Sequence, residues 1–196
     1  MAFTYDAISW TVSLGEWRSW QRAAIKHLNV QAGARVLELA HGTGNLQIDL
    51  KAAGLESVAL DFSPYMGSIA RRKLLRHHIT PSLVRAQAQV LPFADAFFPA
   101  VVSTFPTNFI YAQETLAEVY RVLQPGGRLV IVPNGELSGR GPVEKTVELA
   151  YRATGQRGAS SVHIEDRFKS VGFVLSQVVE QGKSSRAEVI IAQKQS

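Results

Sequence analysis

Short apolar runs alternate along this chain with longer segments of helical spacing. The apolar runs are rich in β-branched residues and nearly continuous, which is typical of strands buried on both faces of a parallel sheet. They lie at residues 35–40, 57–62, 82–87, 100–105 and 128–133. The second of three helical patterns opens with Ser63 as N-cap and Pro64 at the first helical position. The patterns cover residues 44–53, 64–77 and 113–123.

This alternation predicts an α/β fold, a Rossmann-like doubly wound sheet with right-handed crossovers and helices on both faces. Residues 172–181 and 187–194 are strand-like and flank the turn-forming segment GKSS, which indicates a closing antiparallel hairpin. We therefore expect seven strands, mostly parallel, in a single domain over residues 1–196. We expect a helical preface over residues 1–33 and the core over residues 34–133. The variable segment 134–196 begins with a loop at 134–141 and ends in the hairpin.

The segment VLELAHGTGNLQIDL, residues 36–50, carries the clearest chemical signal. Its apolar run contains Glu38 and breaks into a turn with Gly42 and Gly44, after which a helix begins. Ligands of open α/β sheets bind beyond the carboxyl ends of the strands. Glycines there let the backbone approach a ligand close to the positive end of a helix. Asp61 closes the second strand, where a carboxylate can accept hydrogen bonds from both hydroxyls of a ribose.

Two nucleoside cofactors suit this arrangement, and the turn distinguishes between them. A dinucleotide site has the pattern G-x-G-x-x-G, whose third glycine admits close helix packing beside a pyrophosphate. That position is Gln47 when counted from Gly42 and Asn45 when counted from Ala40, so the pattern fails. Glu38 would repel a pyrophosphate, but it suits a ligand that carries an ammonium and a sulfonium. The turn therefore favours S-adenosylmethionine over NAD.

Four segments resemble, in order and spacing, the class I S-adenosylmethionine-dependent methyltransferases. They cover roughly residues 34–133 and read VLELAHGTG, VALDFSPYM, AQVLPFADAFFPAVVSTF and TLAEVYRVLQPGGRLVIV. Within that superfamily the chain is most similar to the ubiquinone/menaquinone-biosynthesis C-methyltransferase group. The N-terminal segment YDAISWTVSLGEWRSWQR resembles the same group. The resemblance implies a methyltransferase with a small, apolar or aromatic acceptor that is methylated at carbon, oxygen or nitrogen.

The resemblance also implies which residues contact S-adenosylmethionine and its product S-adenosylhomocysteine. Residues of the first turn would hold the methionine moiety, and those after the second strand the ribose and the adenine. Residues after the third strand would contact the adenine, and those ending the fourth strand would face the transferable methyl group. In chain order the implied residues are Glu38, Ala40, His41, Gly42, Thr43, Gly44, Asp61, Phe62, Met66, Gln87, Ala88, Thr104 and Phe105.

The chain departs from the family pattern at three positions. The family usually has Gly-Asp-Ala before LPF, whereas residues 86–88 are Ala-Gln-Ala, so Gln87 would contact the adenine amino group through its amide oxygen. Pro99 stands in place of a frequent aspartate, and His41 stands where a cysteine or serine is common. A catalytically weak or inactive scaffold that binds the cofactor therefore stays an alternative to an enzyme.

Methyl transfer from a sulfonium is an in-line displacement, in which the protein chiefly aligns the acceptor in a dry pocket. A general base is needed only where the acceptor must lose a proton of high pKa. His41 is a candidate for this base, and its alternative role is to fill the mouth of the pocket. Tyr5 and Tyr111 are candidates for orienting the acceptor, and are otherwise amphipathic edge residues.

Three N-terminal side chains fall near helical spacing, which leaves two roles open for the preface. Trp10, Leu14 and Trp17 would lie on one helix that packs on the sheet, or that forms a lid over an apolar acceptor.

Charge and composition limit the possible partners. The net charge is +5, and much of it lies in RRKLLRHH at residues 71–78, where leucines interrupt the run as on an amphipathic helix. No aromatic interleaving or Asn-Pro-Pro-aromatic segment supports nucleic-acid binding. Contact with an anionic membrane stays open and would suit a quinone or phospholipid acceptor.

No spacing of ligating residues predicts a metal. The absence of cysteine, of a signal-peptide pattern and of a long apolar run predicts a cytoplasmic protein.

Overall fold

The computed structural model describes residues 16–137, 161–182 and 185–195. The helices are α1 (Trp17–Ile25), α2 (Asn45–Ala52), α3 (Pro64–Arg76), α4 (Gln113–Val122) and α5 (Ser161–Val171), with a 3₁₀ turn at Asn108–Tyr111. The strands are β1 (Arg35–Leu39), β2 (Glu56–Leu60), β3 (Leu83–Val84), β4 (Phe98–Thr104), β5 (Leu123–Val132), β6 (Gly135–Leu137), β7 (Phe173–Gln181) and β8 (Ser185–Lys194).

The strands of the described residues form one sheet in the order β3-β2-β1-β4-β5-β8-β6, and β7 pairs with β8. Strands β1 to β5 are parallel, and β8 runs antiparallel to β5, β6 and β7. The order reverses at β1, with β2 on one side and β4 on the other, so β1 ends at the switch point of the sheet. The predicted α/β class and the C-terminal hairpin are confirmed.

Several observed strand boundaries differ from the predicted ones. The expected strand at 82–87 shrinks to Leu83–Val84, so Gln87 lies in the connection after β3. The described residues form eight strands rather than seven, because the beginning of the predicted loop 134–141 pairs with β8 as β6. Strand β4 begins before residue 100, and its pairing with β5 shifts register around Pro99. Proline has no N–H for a ladder and is tolerated at such an irregularity.

Helices cover both faces of the sheet, as predicted. Along β1, Val36 faces α1 and α2, whereas Leu37 faces α4 and α5. The first face packs Trp20 and Leu28 of the N-terminal region, and the second packs Phe168 of α5. Burying a large apolar side chain contributes about 1.5–3 kcal/mol, so these two layers supply most of the stabilisation of the sheet.

Helix α1 is fixed to the sheet and to α2 by specific contacts. Arg18 and Arg22 both form ion pairs with the buried carboxylate of Asp49 on α2, with N–O distances of 3.0 and 2.9 Å. The indole of Trp20 lies flat against Gly135, where an added Cβ would come within 2.1 Å of the ring. The described part of the helical preface is therefore a helix packed on the sheet, which was one of its two predicted roles.

Candidate cofactor and acceptor site

The turn after β1 has left-handed backbone conformations at three of its five residues. The φ angles are +57° at Ala40, +53° at Gly42 and +81° at Gly44. Gly44 also meets α3, since a Cβ there would lie 3.0 Å from the Cβ of Ala70. The glycine at 44 thus serves both the backbone conformation and the close approach of a neighbouring helix.

Asp61 connects this turn to the turn that follows β2. Its Oδ2 accepts a hydrogen bond from the backbone N–H of Gly42 at 2.9 Å, and its Oδ1 accepts one from the N–H of Ser63 at 2.8 Å. Gly42 and Asp61, each predicted as a cofactor residue, are therefore in direct contact. Each carboxylate oxygen keeps acceptor capacity beyond the bond it already makes.

Glu38 is buried on β1 and faces the first turn of α2. Only 1% of its surface is exposed. Burial raises its pKa to about 7; the hydrogen bond from Gln47 opposes this shift, and the nearby charge of Asp61 adds to it. The Gln47 side-chain amide donates to Glu38, while its Oε1 accepts from the Ser57 hydroxyl at 2.6 Å. Gln47 occupies the position where a dinucleotide site has its third glycine, so the residue that breaks that pattern also positions the carboxylate.

His41 lies in the turn with 5% of its surface exposed. Its Nδ1 is 2.9 Å from the carbonyl oxygen of Gly42. Because a carbonyl can only accept, Nδ1 carries the proton, and Nε2 of the neutral ring is unprotonated. Burial lowers the pKa of His41 below its ordinary value, although the charge of Asp61 opposes this effect. The ring is therefore neutral at pH 7 and has the protonation state that a general base requires.

A cleft of about 390 Å³ opens beside the ends of β1 and β2. Residues from three consecutive strand ends line it, and those used below are Ala40, Asp61, Phe62, Gln87, Ala88 and Phe109. Five of these six were predicted as cofactor contacts, and the structure brings them together. Phe109, on the 3₁₀ turn, was not predicted.

Thr104 and Phe105, at the end of β4, contact α1. The Thr104 hydroxyl accepts a hydrogen bond from Nε2 of Gln21 at 3.0 Å. Phe105, with φ of +51°, stacks on Trp17 with ring centroids 3.7 Å apart. Within the described residues, Oε1 of Gln21 and the indole N–H of Trp20 are buried without a hydrogen-bond partner. Such buried polar atoms are costly unless a ligand or water pairs with them.

Two other predicted cofactor residues form hydrogen bonds at the N-terminal ends of α2 and α3. The Thr43 hydroxyl accepts a hydrogen bond from Nζ of Lys73 at 3.0 Å, and the same nitrogen donates to Oδ1 of Asn45 at 2.8 Å. The N–H of Met66 donates to Ser63 Oγ at 3.3 Å, which confirms the predicted N-cap of α3.

Of the two candidate tyrosines, the structure describes Tyr111, and Tyr5 lies outside the described residues together with Trp10 and Leu14. Tyr111 ends the 3₁₀ turn and packs edge-on against Phe168. Burial, and to a smaller extent the charge of Glu188, raises the pKa of Tyr111 to about 12. Its hydroxyl is therefore protonated near neutral pH and can donate a hydrogen bond.

Sequence reasoning missed Gln47, Gln21 and Glu188. A polar residue in the first helical turn after a strand carboxylate was a usable signal for Gln47. The other two residues lie on distant segments, and no local pattern connects them with the site.

Two further features concern only the described parts of the chain. There, no group of three or more histidines, aspartates or glutamates is arranged to hold a metal ion. No helix in the same ranges has the length and apolarity needed to cross a membrane.

The sheet order, the turn after β1 and the carboxylate after β2 define a class I methyltransferase fold. Comparison with known proteins makes this more specific: the ubiE/COQ5 methyltransferase family model matches residues 1–152, and the chain belongs to that family. It is 42% identical to demethylmenaquinone methyltransferase of Thermus thermophilus over 131 residues, which cover 65% of this chain and 60% of the relative. The chain spans between 53% and 60% of the length of three such relatives.

Two solved structures illustrate what the fold alone establishes. Geranyl diphosphate C-methyltransferase from Streptomyces coelicolor, bound to Mg²⁺, geranyl diphosphate and S-adenosyl-L-homocysteine, has 15% identity and a TM-score of 0.69, covering 90% of this chain and 78% of its own. The [4+2]-cyclase SpnF has 14% identity and a TM-score of 0.73, covering 91% and 80%. Since one is named as a methyltransferase and the other as a cyclase, the fold does not by itself determine the reaction.

Proposed function

We propose that the protein is an S-adenosylmethionine-dependent methyltransferase that methylates a ring carbon of a reduced, quinone-type acceptor. The observation that carries this proposal is that Asp61 and Gln87 line one cleft, while the buried carboxylate of Glu38 lies close enough to Asp61 for their charges to interact. It is supported by membership of the ubiE/COQ5 family and by the name of the Thermus thermophilus relative. An oxygen or nitrogen acceptor of similar apolar character is the nearest alternative.

The residues of the cleft fit this cofactor. A volume of about 390 Å³ lies within the range of small-molecule sites, roughly 300–1,000 Å³. Asp61 offers carboxylate oxygens for the ribose hydroxyls, and the amide oxygen of Gln87 suits the adenine amino group. Phe62 offers an aromatic surface beside the purine. Glu38 would balance the charge of the methionine ammonium, with Gln47 holding its carboxylate in position.

When bound, S-adenosylmethionine supplies an electrophilic methyl group and a neutral thioether as leaving group. Residues of this chain would supply alignment, exclusion of water and proton transfer. Trp17 and Phe105 form an apolar wall at the end of β4 that suits an aromatic acceptor. The unprotonated Nε2 of His41 is suited to accept a proton from a quinol. Tyr111, which stays protonated, is suited to donate a hydrogen bond to an acceptor oxygen.

A cytoplasmic location is part of this proposal. It is supported by a chain of 196 residues that contains no cysteine, which suits a reducing compartment. Cell fractionation with an antibody to the protein tests it, and recovery of the protein in the secreted fraction would contradict it.

Calorimetric titration with S-adenosylhomocysteine tests the cofactor part of the proposal. We expect one site per chain with a dissociation constant in the micromolar range. No detectable binding at millimolar ligand would overturn the proposal. Binding without methyl transfer to any quinol would instead favour the scaffold alternative.

A further inference from the structure

The net positive charge of the chain arises in one segment. Residues 62–94 contain no aspartate or glutamate and hold five of the 21 lysines and arginines: Arg71, Arg72, Lys73, Arg76 and Arg85. The other 16 basic residues are matched by 16 acidic ones. The net charge of +5 is thus equal to the charge of this segment alone.

The arginines of α3 differ in their pairing from most other exposed arginines of the described residues. Arg71, Arg72 and Arg76 are exposed, and none forms an ion pair with a carboxylate of the described residues. Arg72 instead donates to the backbone carbonyl of Ser68 on its own helix. The contrast is with arginines elsewhere that do bind carboxylates: Arg18, Arg22, Arg35, Arg121 and Arg186.

Large apolar side chains are exposed among these unpaired cations. Phe62 is 59% exposed, Tyr65 51% and Leu75 47%. Leu75 lies three and four residues after Arg72 and Arg71, so the three side chains share the outer face of the helix. Tyr65 lies seven residues before Arg72 and belongs to the same face. A helix face that only contacts solvent has no need of exposed apolar side chains, so Tyr65 and Leu75 point to a further role for this face.

We propose that this α3 basic face, formed by Tyr65, Arg71, Arg72, Leu75 and Arg76, binds an anionic lipid bilayer surface. Arginine charges attract acidic headgroups, and flanking aromatic and aliphatic side chains enter the headgroup region, as on interfacial amphipathic helices. An acidic protein or a nucleic acid would satisfy the charges. The pattern favours a bilayer, because exposed apolar side chains that flank arginines on one helix face are typical of interfacial amphipathic helices.

The face adjoins the cofactor cleft. Phe62 lines that cleft and lies two residues before the start of α3. Binding through α3 would therefore bring the cleft next to a membrane in which a quinone-type acceptor is dissolved. This consequence rests on the proposed function, whereas the membrane contact itself does not.

Vesicle flotation tests the contact without cofactor or acceptor. The full chain is mixed with vesicles of phosphatidylcholine alone, or of phosphatidylcholine with phosphatidylglycerol, at low and at high salt. We expect binding only to the anionic vesicles and a decrease with salt, because exposed charges are screened. Equal binding to both compositions, or to neither, would overturn the proposal.

Charge reversal locates the surface. The triple variant R71E/R72E/R76E should bind anionic vesicles at least about tenfold more weakly, since each basic residue contributes substantially to attraction at an anionic surface. The matched control R35E/K51E/K169E makes the same change in net charge on other exposed positions and should retain most of the binding. Equal losses in the two variants would assign the attraction to net charge and contradict a specific face.

A second pair of measurements separates lipid from other polyanions. Y65S/L75S keeps every charge, and it should weaken vesicle binding about fivefold while leaving any binding to duplex RNA unchanged. Tight RNA binding by the wild type with no vesicle binding would overturn the proposal in favour of a nucleic-acid surface. Circular dichroism melts of all variants confirm that they are folded. The vesicle and RNA measurements do not depend on methyl transfer, so they test the membrane contact even if the proposed function is wrong.

Discussion

The side-chain amide of Gln47 donates a hydrogen bond to the buried carboxylate of Glu38, and the Ser57 hydroxyl holds that amide from its other side. A carboxylate in this position is costly without a ligand, because burial disfavours its charged form. The arrangement resembles other functional sites in which stability is lost to keep a charged group ready for binding.

Replacing Glu38 by glutamine should stabilise the protein at alkaline pH. The carboxyl has a folded-state pKa of about 7 against an ordinary 4.5. Between these values the folded state keeps a proton that the unfolded state has lost, so stability falls as pH rises from 4.5 to 7. The loss is about 3 kcal/mol in total, at 1.36 kcal/mol per pKa unit.

Urea denaturation of wild type and Glu38→Gln at pH 5 and pH 8 measures this effect. The free energy of unfolding of the variant, relative to that of wild type, should be higher at pH 8 than at pH 5. Its affinity for S-adenosylhomocysteine should fall about tenfold or more. Parallel pH dependences in the two proteins would show that Glu38 is ionised throughout.

Removing the carboxylate of Asp61 should weaken cofactor binding severely. Asp61→Ala leaves the ribose hydroxyls and the N–H groups of Gly42 and Ser63 without their acceptor, so we expect about a hundredfold loss in calorimetric affinity. Asp61→Asn, which keeps one acceptor oxygen, should lose about tenfold. The matched control is Asp95→Ala, since Asp95 is exposed and pairs only at the surface with Arg121. A control that binds as weakly as Asp61→Ala would contradict the assignment.

His41 offers a separate test of proton transfer. In His41→Asn the side-chain amide can still donate to the carbonyl of Gly42, but the basic Nε2 is lost. We expect an unchanged dissociation constant for S-adenosylhomocysteine and a fall in kcat of about a hundredfold. Nitrogen NMR of the wild type should show the Nδ1-protonated tautomer at pH 7. A variant with wild-type kcat would restrict His41 to shaping the turn.

Alanine substitutions at Gly44 and Gly54 distinguish the cost of backbone strain from the cost of steric overlap. Both have left-handed φ angles, of +81° and +76°, but an added Cβ meets Ala70 at position 44 and nothing within 4 Å at position 54. Gly54→Ala should therefore cost about 1 kcal/mol of unfolding free energy from backbone strain alone. Gly44→Ala should cost about 1–3 kcal/mol more through overpacking.

The double variant Gly44→Ala with Ala70→Gly checks the origin of that difference. In urea denaturation it should be more stable than the sum of the two single variants predicts, because Ala70→Gly removes the facing methyl group, although that change alone costs about 1 kcal/mol in a helix. A cost at position 44 equal to that at position 54 would show that α3 can move away without penalty.

The parts of the fold predicted from sequence are those that local pattern determines. Glu38 and Asp61 were both assigned to one cofactor site, because parallel strands carry their carboxyl ends to one edge of a sheet. The bond from Gln21 to Thr104 was not predictable, since it joins residues 83 positions apart through side-chain packing. Likewise, β6 exists only because Gly135–Leu137 meets β8, and no periodicity within three residues indicates such pairing. The short β3 has only two paired residues, although its apolar run looks longer.

The most direct test of the central claim is transfer of a labelled methyl group from S-adenosylmethionine to a reduced naphthoquinone that lacks the ring methyl. We predict that wild type places the label on a ring carbon, identified by mass spectrometry and carbon NMR of the product, and that Asp61→Ala is strongly impaired. Tight cofactor binding with the label retained on the cofactor, for every quinol and for acceptors in cell extract, would contradict the account.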